Sequence, residues 1–254
     1  DGTYSLDAAV MRGSDREAGA VGALSATHQA VALAHDLLED RHVLIVGPGA
    51  DRRARALGLP PLPPPPAEKL ATYAKLRAAK TERLEDLTTV GQPDDESSPA
   101  RRAPGPDLGH DTVGAVALDA TGELAAAVTT GGLWLKTSGR VGDSPLVGAG
   151  LFACTQLGAA SVATGIGERL LRELSCFRAC QLAEGSDAAS AATRAVAALG
   201  ERFGPDTGGL IVVDRQGRIG AAFNTAGMGR AVARVGREEV PVAVWPEEPF
   251  RSPD

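Results

Sequence analysis

The sequence is short of aromatic residues and lacks a long apolar run. Aromatic side chains make up 4% of its 254 residues, so Ala, Val and Leu must supply most of the core in closely packed layers. No stretch reaches the roughly 18 apolar residues of a membrane span, and no charged start with an apolar run marks a signal peptide. With 43% hydrophobic and 23% charged residues, the composition is that of one folded domain and excludes a collagen-like or wholly disordered chain.

Cysteine is also scarce. The three cysteines, Cys154, Cys176 and Cys180, are an odd number and make no disulfide framework, which favours a reducing compartment, the cytoplasm. Cys176 and Cys180 are spaced to share a helix face, but no CxxC pair or neighbouring His accompanies them. We therefore interpret them as buried thiols rather than metal ligands, and we expect no metal site.

Basic residues do not dominate the charge. Lys and Arg number 26 against 32 Asp and Glu, which gives a net charge of −6, and no basic stripe interrupts this balance. Nucleic acids and anionic membranes are therefore not expected partners, because both need a positively charged surface. A small polar molecule remains possible as the substrate, because its binding needs no basic surface.

The first part of the chain carries patterns of folded elements. Residues 1–59 contain an alternating start around Tyr4 to Met11, a helical stretch from about Ser25 to Glu39, and a β-rich run from His42 to Val46. The proline cluster within residues 60–66 then opens a charged, weakly helical segment that reaches Leu87.

Residues 91–111 have hardly an apolar side chain to bury, which predicts a flexible surface segment inside the chain. From Thr112 the pattern becomes strongly β: TVGAVALD, a short ATG loop, then ELAAAVTT. Two strand patterns separated by a short loop that contains glycine predict a hairpin. If Asp119 faces Glu123, the register places Thr112 opposite Thr130 and brings two hydroxyls together.

The remainder repeats strands around helices. GGLIVVD and RIGAAFNT form a second predicted hairpin, while residues 167–182 and 187–203 read as two helices. One side of the first helix is expected to carry Leu170, Leu171, Leu174 and Phe177. Strands, helices and strands again indicate layered sheets with helices outside, the α+β class.

Three short motifs carry chemistry. Thr112 follows His110 and Asp111 where the flexible segment meets a buried-looking strand, a place for a nucleophile, although Thr at a strand start is ordinarily only a β-former. Arg140 and Asp143 in SGRVGDSP suit the carboxylate and ammonium of a free amino acid, although the same spacing fits a surface ion pair in a turn. ATGIGE opens a helix where backbone N–H groups and the Thr hydroxyl can hold an oxyanion; its other interpretation is a plain helix start.

Taken together, HDTVGAVALD, TTGG, GRVGDSPLVGAG and ATGIGE occur in an informative order. The chain resembles the plant-type (class 2) asparaginase and isoaspartyl-peptidase family of N-terminal-nucleophile hydrolases, related to glycosylasparaginases and threonine aspartase. The likeness extends from DGTYSLDAAVMRG to AFNTAGMGRA, essentially the whole chain. It implies a four-layer αββα sandwich.

The resemblance implies that the chain cuts itself between Asp111 and Thr112. Residues 1–111 then form an α subunit, with about residues 60–111 as a flexible linker, and residues 112–254 form a β subunit within the same structural domain. The new amine of Thr112 activates its own hydroxyl. The family also implies a dimer of αβ heterodimers and no required cofactor; its structural sodium loop is not present in this sequence.

Residue by residue, the resemblance assigns Thr130 as the second Thr beside the nucleophile, Arg140 as the carboxylate ligand and Asp143 as the ammonium ligand. Thr164 and Gly165 match the oxyanion donors. The neighbouring loop residues complete the expected substrate site: Val141, Gly142, Ile166 and Gly167.

The expected activity is hydrolysis of L-asparagine or β-aspartyl dipeptides through a Thr acyl-enzyme. N4-(β-N-acetylglucosaminyl)-L-asparaginase is the alternative because HDT is typical of it, whereas TTGG and AFNTAGMGRA favour the asparaginase side. The long linker keeps threonine aspartase, an endopeptidase, as a third choice. An unprocessed, non-catalytic binding homologue is the alternative of another class.

The sequence departs from the family in two places, and the first motivates that last alternative. The chain begins at Asp1, after the opening strand and the Asn-Ala-Gly segment of the family, so we expect either part of a longer protein or a degraded homologue. Trp134 follows TTGG where many relatives have smaller or polar residues. We favour a place in the core for it; the alternatives are that it narrows the pocket or lines a dimer interface.

Other motifs are weaker. Gly47-Pro48-Gly49 follows a strand pattern like the start of a dinucleotide fingerprint, but Arg52 stands at the third Gly position, so a structural turn is favoured. His28 and His35 have no further ligand at metal spacing and are expected at the solvent edge or capping the core.

Overall fold

The computed structural model describes residues 2–78 and 112–248 of the chain. The predicted flexible segment and most of the predicted linker, with His110 and Asp111, lie outside these residues. Within them, α-helices and β-strands contribute alike, and no helix has the length and apolar character to cross a membrane.

The first sheet has five strands in the order β3-β2-β1-β5-β4. All neighbours are antiparallel except β2 and β3, which run parallel. The nucleophile candidate Thr112 immediately precedes β4, at one edge of this sheet. The strands are β1 Leu6–Arg12, β2 Ala18–Leu24, β3 Leu44–Val46, β4 Val113–Leu118 and β5 Leu124–Thr130.

The second sheet is an antiparallel meander in the order β6-β7-β8-β9. A separate two-stranded ribbon, β10 with β11, follows it in the chain. The strands are β6 Leu151–Cys154, β7 Ala159–Gly165, β8 Gly208–Asp214, β9 Ile219–Phe223, β10 Arg230–Ala231 and β11 Val242–Ala243.

Helices cover the outer faces of both sheets. On the first sheet α1 packs against β1 and β2, and on the second α5 and α6 pack against β7, β8 and β9, while β4 and β5 face β6 and β7 between the sheets. The helices are α1 Ala30–Asp36, α2 Pro48–Ala56, α3 Ala67–Ala78, α4 Gly167–Glu173, α5 Ser175–Glu184 and α6 Ala188–Phe203.

Small side chains let these layers approach closely. A Cβ on Gly19 of β2 would lie 2.0 Å from the Ala34 carbonyl of α1, and one on Gly220 of β9 would lie 2.1 Å from the Ala188 carbonyl of α6. The larger buried cluster, between the sheets and beneath α5 and α6, is mostly Ala, Val and Leu. The expectation of a core with few aromatic residues is therefore confirmed.

Both predicted hairpins are present. In the first, Asp119 donates its N–H to the Glu123 carbonyl at 3.0 Å, and Gly122 takes the left-handed φ of 88° that the tight loop needs. The pairing of Val113 with Thr129 confirms the register that sets Thr112 against Thr130.

The prediction of one helix over residues 167–182 is wrong. Leu174 adopts a left-handed φ of 48°, which ends α4 and begins α5 with a change of direction. Leu174 is consequently 49% exposed, while Leu170 is fully buried, so these two side chains do not share a buried side. Helical spacing alone gave no signal for this break.

In the first part of the chain the predicted helix is shorter than expected. The Asp51 carboxylate accepts hydrogen bonds from the N–H groups of Ser25 and Ala26, which holds this stretch as a loop before α1 begins at Ala30. Of the β-rich run predicted from His42 to Val46, residues Leu44–Val46 form a strand, β3, which lies largely exposed at the edge of the sheet. Strand β2 was not predicted, since its run of small residues, AGAVGAL, shows no clear period.

Candidate active site

The first feature of the site is a pair of threonine hydroxyls between the two sheets. Thr112 Oγ1 donates to Thr130 Oγ1 across 3.1 Å, and the Gly132 N–H donates to the same Thr130 oxygen at 3.0 Å. Thr130 is buried at the end of β5, while Thr112 is half-buried. The hairpin register thus places the Thr112 hydroxyl in contact with the Thr130 hydroxyl, which the Gly132 N–H already orients.

Arg140 stands in the loop of residues 138–145, the 138–145 loop, and its partner is Glu168 in the first turn of α4. Nε and Nη2 donate to the two Glu168 oxygens at 2.9 and 3.0 Å, a bidentate pair. The alternative interpretation of an ion pair between Arg140 and Asp143 is therefore wrong. Glu168 holds one edge of the guanidinium, which leaves Nη1 directed elsewhere.

Asp143 lies in the same loop but is 94% buried, and its Oδ2 has no hydrogen-bond partner among the described residues. Burial raises the pKa of Asp143 to about 7; Arg140 opposes this rise, while the negative charges of Glu168 and Asp7 add to it. A buried acceptor without a donor needs an explanation, and a cationic ligand supplies one.

Glycines let Arg140 and Asp143 converge on α4. A Cβ on Gly167 would lie 2.8 Å from Asp143 Oδ1 and 2.9 Å from Arg140 Nη2, so no larger residue fits there without a shift. Gly142 is similarly close to the guanidinium, at 2.8 Å from Nη1. Gly167 therefore belongs to the same cluster as the two charged residues.

The remaining predicted loop residues have packing roles. The Val141 side chain lies against β2, within 3.1 Å of where a Cβ on Gly22 would stand. Ile166 is 1% exposed and anchors the start of α4 by donating its N–H to the Thr207 carbonyl at 2.8 Å. Neither side chain faces the charged cluster as a polar ligand.

Thr164 and Gly165 end strand β7 beside the start of β8. Their partners in the sheet are Gly209 and Gly208, and a Cβ on Gly165 would lie 2.4 Å from the Thr207 carbonyl, so only glycine fits. Asn224 fixes this corner because its Oδ1 accepts from the N–H groups of Thr207 and Gly208, both at 3.0 Å.

A small pocket of about 60 Å³ joins Thr112 to Thr164. Apart from these two threonines its walls are apolar or backbone, formed by Gly114, Val162, Ala163, Gly209, Leu210, Ile211, Met228 and Gly229. A larger surface pocket of about 240 Å³ lies among Arg12, Asp15, Glu17, Leu38, Glu39 and Asp40, but it holds no hydroxyl or thiol nucleophile. We therefore place the candidate site at Thr112.

Sequence reasoning missed two charged residues of this site, Glu168 and Asp7. Glu168 had a signal, since it is an acid at a helix start within the quoted ATGIGE motif, but its pairing with Arg140 joins two distant segments. Trp134, favoured as core, belongs to neither buried cluster; it is half-buried with the Lys69 ammonium 5.4 Å from its ring centroid.

The other predicted motifs contribute no chemistry. The three cysteines are buried and unpaired, and His28 and His35 are exposed. Gly47, with a φ of 54°, is the turn before α2. Over residues 2–78 and 112–248, no three His, Cys, Asp or Glu side chains gather where a metal ion would bind.

Comparison with known proteins gives a consistent result. A family model described as Asparaginase matches residues 1–241. The chain is 41% identical over 239 residues to a plant-type L-asparaginase of Pyrobaculum calidifontis, covering 93% of this chain and 75% of that protein. It is 40% identical over 234 residues to the isoaspartyl peptidase of Escherichia coli, covering 91% and 69%. A rat isoaspartyl peptidase/L-asparaginase (Rattus norvegicus) is 36% identical over 239 residues, covering 93% and 66%.

Proposed function

The chain belongs to the asparaginase family, and on that premise we propose that it is an autoprocessing amidohydrolase that releases aspartate from L-asparagine and β-aspartyl dipeptides. The observation that carries the proposal is the 3.1 Å contact between the hydroxyls of Thr112 and Thr130. A nucleophilic hydroxyl needs a neighbour that fixes its direction, and Thr130 meets that need.

The proposed reaction begins with hydrolysis of the peptide bond between Asp111 and Thr112: one water is consumed, the main-chain carbonyl of Asp111 becomes a carboxylate and the Thr112 α-amine is freed. Such an amine, with a pKa of about 7.7–8.0, is partly neutral near pH 7 and accepts the hydroxyl proton. The Thr112 oxygen then bonds to the side-chain carbonyl carbon, and the proton passes to the departing ammonia or amine. Water cleaves the resulting ester, returns a proton to the Thr112 oxygen and releases aspartate.

Arg140 and Asp143 are proposed to hold the amino-acid head group. Glu168 takes the Nε N–H and one N–H of Nη2, so both N–H groups of Nη1 and the second of Nη2 are donors for the substrate carboxylate. The unpartnered Oδ2 of Asp143 is the acceptor for the ammonium. Binding of that cation favours the ionised carboxylate and opposes the rise of its pKa to about 7.

Thr164 and Gly165 are proposed to stabilise the oxyanion. Thr164 lines the same small pocket as Thr112, which supports this role. Loss of one such donor typically costs about 3 kcal/mol of transition-state stabilisation. The reacting carbonyl of the substrate would lie between Thr112 and Thr164, in the pocket that they share.

We further propose that the two facing sheets, with helices outside, form the four-layer sandwich and that residues 1–111 and 112–254 become its α and β subunits. Two such heterodimers would then associate, and the reaction would use no cofactor. The buried, unpaired thiols support a reducing compartment such as the cytoplasm.

The alternative substrate is glycosylated asparagine, supported by the HDT motif before β4. The apolar pocket of about 60 Å³ beside Thr112 favours a small leaving group instead. Kinetics with asparagine, a β-aspartyl dipeptide and glycosylated asparagine, measured at matched concentrations, separate these substrates. The highest kcat/KM on the glycosylated compound would reverse the choice.

Intact mass under denaturing conditions, taken fresh and after days near neutral pH, tests self-cleavage. Two fragments divided between Asp111 and Thr112, together with aspartate release, are the expected result. A single uncut species that binds aspartate without releasing it from asparagine would instead identify a non-catalytic binding homologue.

A further inference from the structure

Asp7 extends the row of side chains that contains the two threonines. In the first sheet Asp7 of β1 pairs with Thr130 of β5, and Thr112 stands across from Thr130 on the other side. Directly opposed residues in a sheet project from the same face with Cβ atoms about 4.5–5.5 Å apart. Asp7 on β1, Thr130 on β5 and Thr112 just before β4 therefore lie side by side, facing the second sheet.

The environment of Asp7 is unusual for a carboxylate. Its exposed fraction is 0%, its Oδ1 accepts from the Ala23 N–H at 2.8 Å, and its Oδ2 has no hydrogen-bond partner among the described residues. Burying a charge without full compensation costs free energy, so apolar residues would serve a purely structural role better. The neighbours on the same face of β1, Ala9 and Met11, are indeed apolar.

Two of the groups that act on the Asp7 carboxylate, Arg140 and Gly142, belong to the candidate substrate site. Burial raises the pKa of Asp7, while the N–H groups of Ala23 and Gly142 and the positive charges of Lys136 and Arg140 lower it. Its negative charge also acts on Asp143. The Val141 side chain of the 138–145 loop packs against Gly22 of β2, and the next residue, Ala23, donates its N–H to Asp7 Oδ1. Asp7 is therefore joined to this loop through β2.

A second contact ties the same two segments together. Lys136 donates from Nζ to the Ser5 carbonyl at 3.0 Å and to the Gly131 carbonyl at 2.7 Å, which joins the chain before β1 to the chain after β5. Lys136 therefore ties the start of β1 to the segment that leads from Thr130 to the 138–145 loop, and the buried Asp7 follows Ser5 by two residues.

We propose that Asp7 is a positioning residue that fixes the 138–145 loop beside Thr130 and thereby sets the affinity of the site for the amino-acid head group. This inference rests on the proposed function, since it assumes that Arg140 and Asp143 bind an amino acid. In this role Asp7 acts on the substrate site indirectly. It acts through Gly142 and the charges beside it.

The test is calorimetric binding of L-aspartate to the full chain, which needs the head-group residues but no turnover. Asp7→Asn keeps the shape and an oxygen acceptor for Ala23 but removes the charge. Asp51→Asn is the matched control, because Asp51 of α2 is another buried aspartate that accepts two backbone N–H groups, from Ser25 and Ala26 in the loop before α1. We expect the Kd to rise at least tenfold in Asp7→Asn and to change less than twofold in Asp51→Asn.

The KM for L-asparagine is a second measure of binding, and a general loss of stability would not change it. Asp7→Asn should raise KM at least tenfold with kcat changed less than threefold. Should Asp7→Asn fail to fold, as judged by circular dichroism, Asp7→Ser is smaller, keeps a hydroxyl and must give the same rise in Kd.

Two results would overturn the inference in distinguishable ways. If the unaltered chain does not bind L-aspartate, the head-group assignment fails, and the role of Asp7 fails with it. If the unaltered chain binds L-aspartate but Asp7→Asn binds equally well, or Asp51→Asn weakens binding as much, the positioning role alone is wrong.

Discussion

Thr112 and Thr130 lie opposite each other at the open end of the hairpin formed by β4 and β5, with their hydroxyl oxygens 3.1 Å apart. The contact joins the start of one strand to the end of the next, so a hairpin loop at residues 119–122 sets it. Because the Gly132 N–H also donates to Thr130, the hydroxyl beside Thr112 has a fixed orientation.

Removal of the nucleophile is the most direct prediction. Thr112→Ala should give a single uncut chain and no aspartate from L-asparagine, because both proposed steps use the Thr112 oxygen. Denaturing mass spectrometry and an aspartate assay measure the two effects. Continued release of aspartate by this variant would assign the chemistry to another group.

The hydroxyl of Thr130 can be replaced by a methyl group of similar size. Thr130→Val should lower kcat by about 10²-fold, the lower end of what a positioned proton-transfer group contributes, because Thr112 loses its oriented partner. Thr193→Val is the control, since Thr193 is exposed on α6 and bonds only within its helix among the described residues. Equal kcat values for the two variants would contradict the role of Thr130.

Glu168 is predicted to set the direction of Arg140. Glu168→Gln replaces a bidentate, charged partner by a neutral one, so KM for L-asparagine should rise about tenfold, equivalent to about 1.4 kcal/mol, with kcat nearly unchanged. Glu173→Gln is the matched control because Glu173, on the same helix, also pairs with arginines, the exposed Arg178 and Arg202. Steady-state kinetics of both variants decide whether Glu168 acts on Arg140.

Gly167 has no room for a side chain. In Gly167→Ala the new Cβ would lie 2.8 Å from Asp143 Oδ1, so the carboxylate must move, and we expect L-aspartate to bind at least tenfold more weakly. At Gly49, near the start of another helix, a Cβ would meet nothing within 4 Å. Gly49→Ala should bind aspartate like the unaltered chain, and comparable losses in both variants would refute the steric argument.

The buried Asp143 should make stability depend on pH. Its pKa is about 7 when folded but near 3.8 when unfolded, so between these values the folded chain holds a proton that the unfolded chain releases. The free energy of unfolding contributed by this group therefore falls as the pH rises from about 4 to 7.

Urea unfolding of the unaltered chain and of Asp143→Asn at pH 5 and pH 7.5 measures this effect. Differences between the two proteins isolate Asp143 from other acids, such as Asp15 and Asp40, whose pKa values are lowered to about 2 by arginine partners. The variant should gain stability relative to the unaltered chain at the higher pH. An identical pH dependence in both would contradict the buried state of Asp143.

Local chemistry was enough to predict several elements. The Asp119 to Gly122 loop fixed the register of the first hairpin, and Asp187 caps α6 by accepting from the Ser190 N–H, so both elements follow from nearby residues. The break at Leu174 could not be predicted in this way, because its left-handed backbone joins two helical patterns that continue one another in sequence.

By itself, the sequence determined that Thr112 lies opposite Thr130 at the open end of a hairpin, and its motifs indicated the family to which the chain belongs. Only the tertiary structure decided that Arg140 pairs with Glu168, that Asp143 is buried with an unpartnered oxygen, and that Asp7 completes the row. The physical reason is that charge pairing and desolvation depend on which distant segments meet. Turn and strand patterns depend on neighbours along the chain, so they can be read without that knowledge.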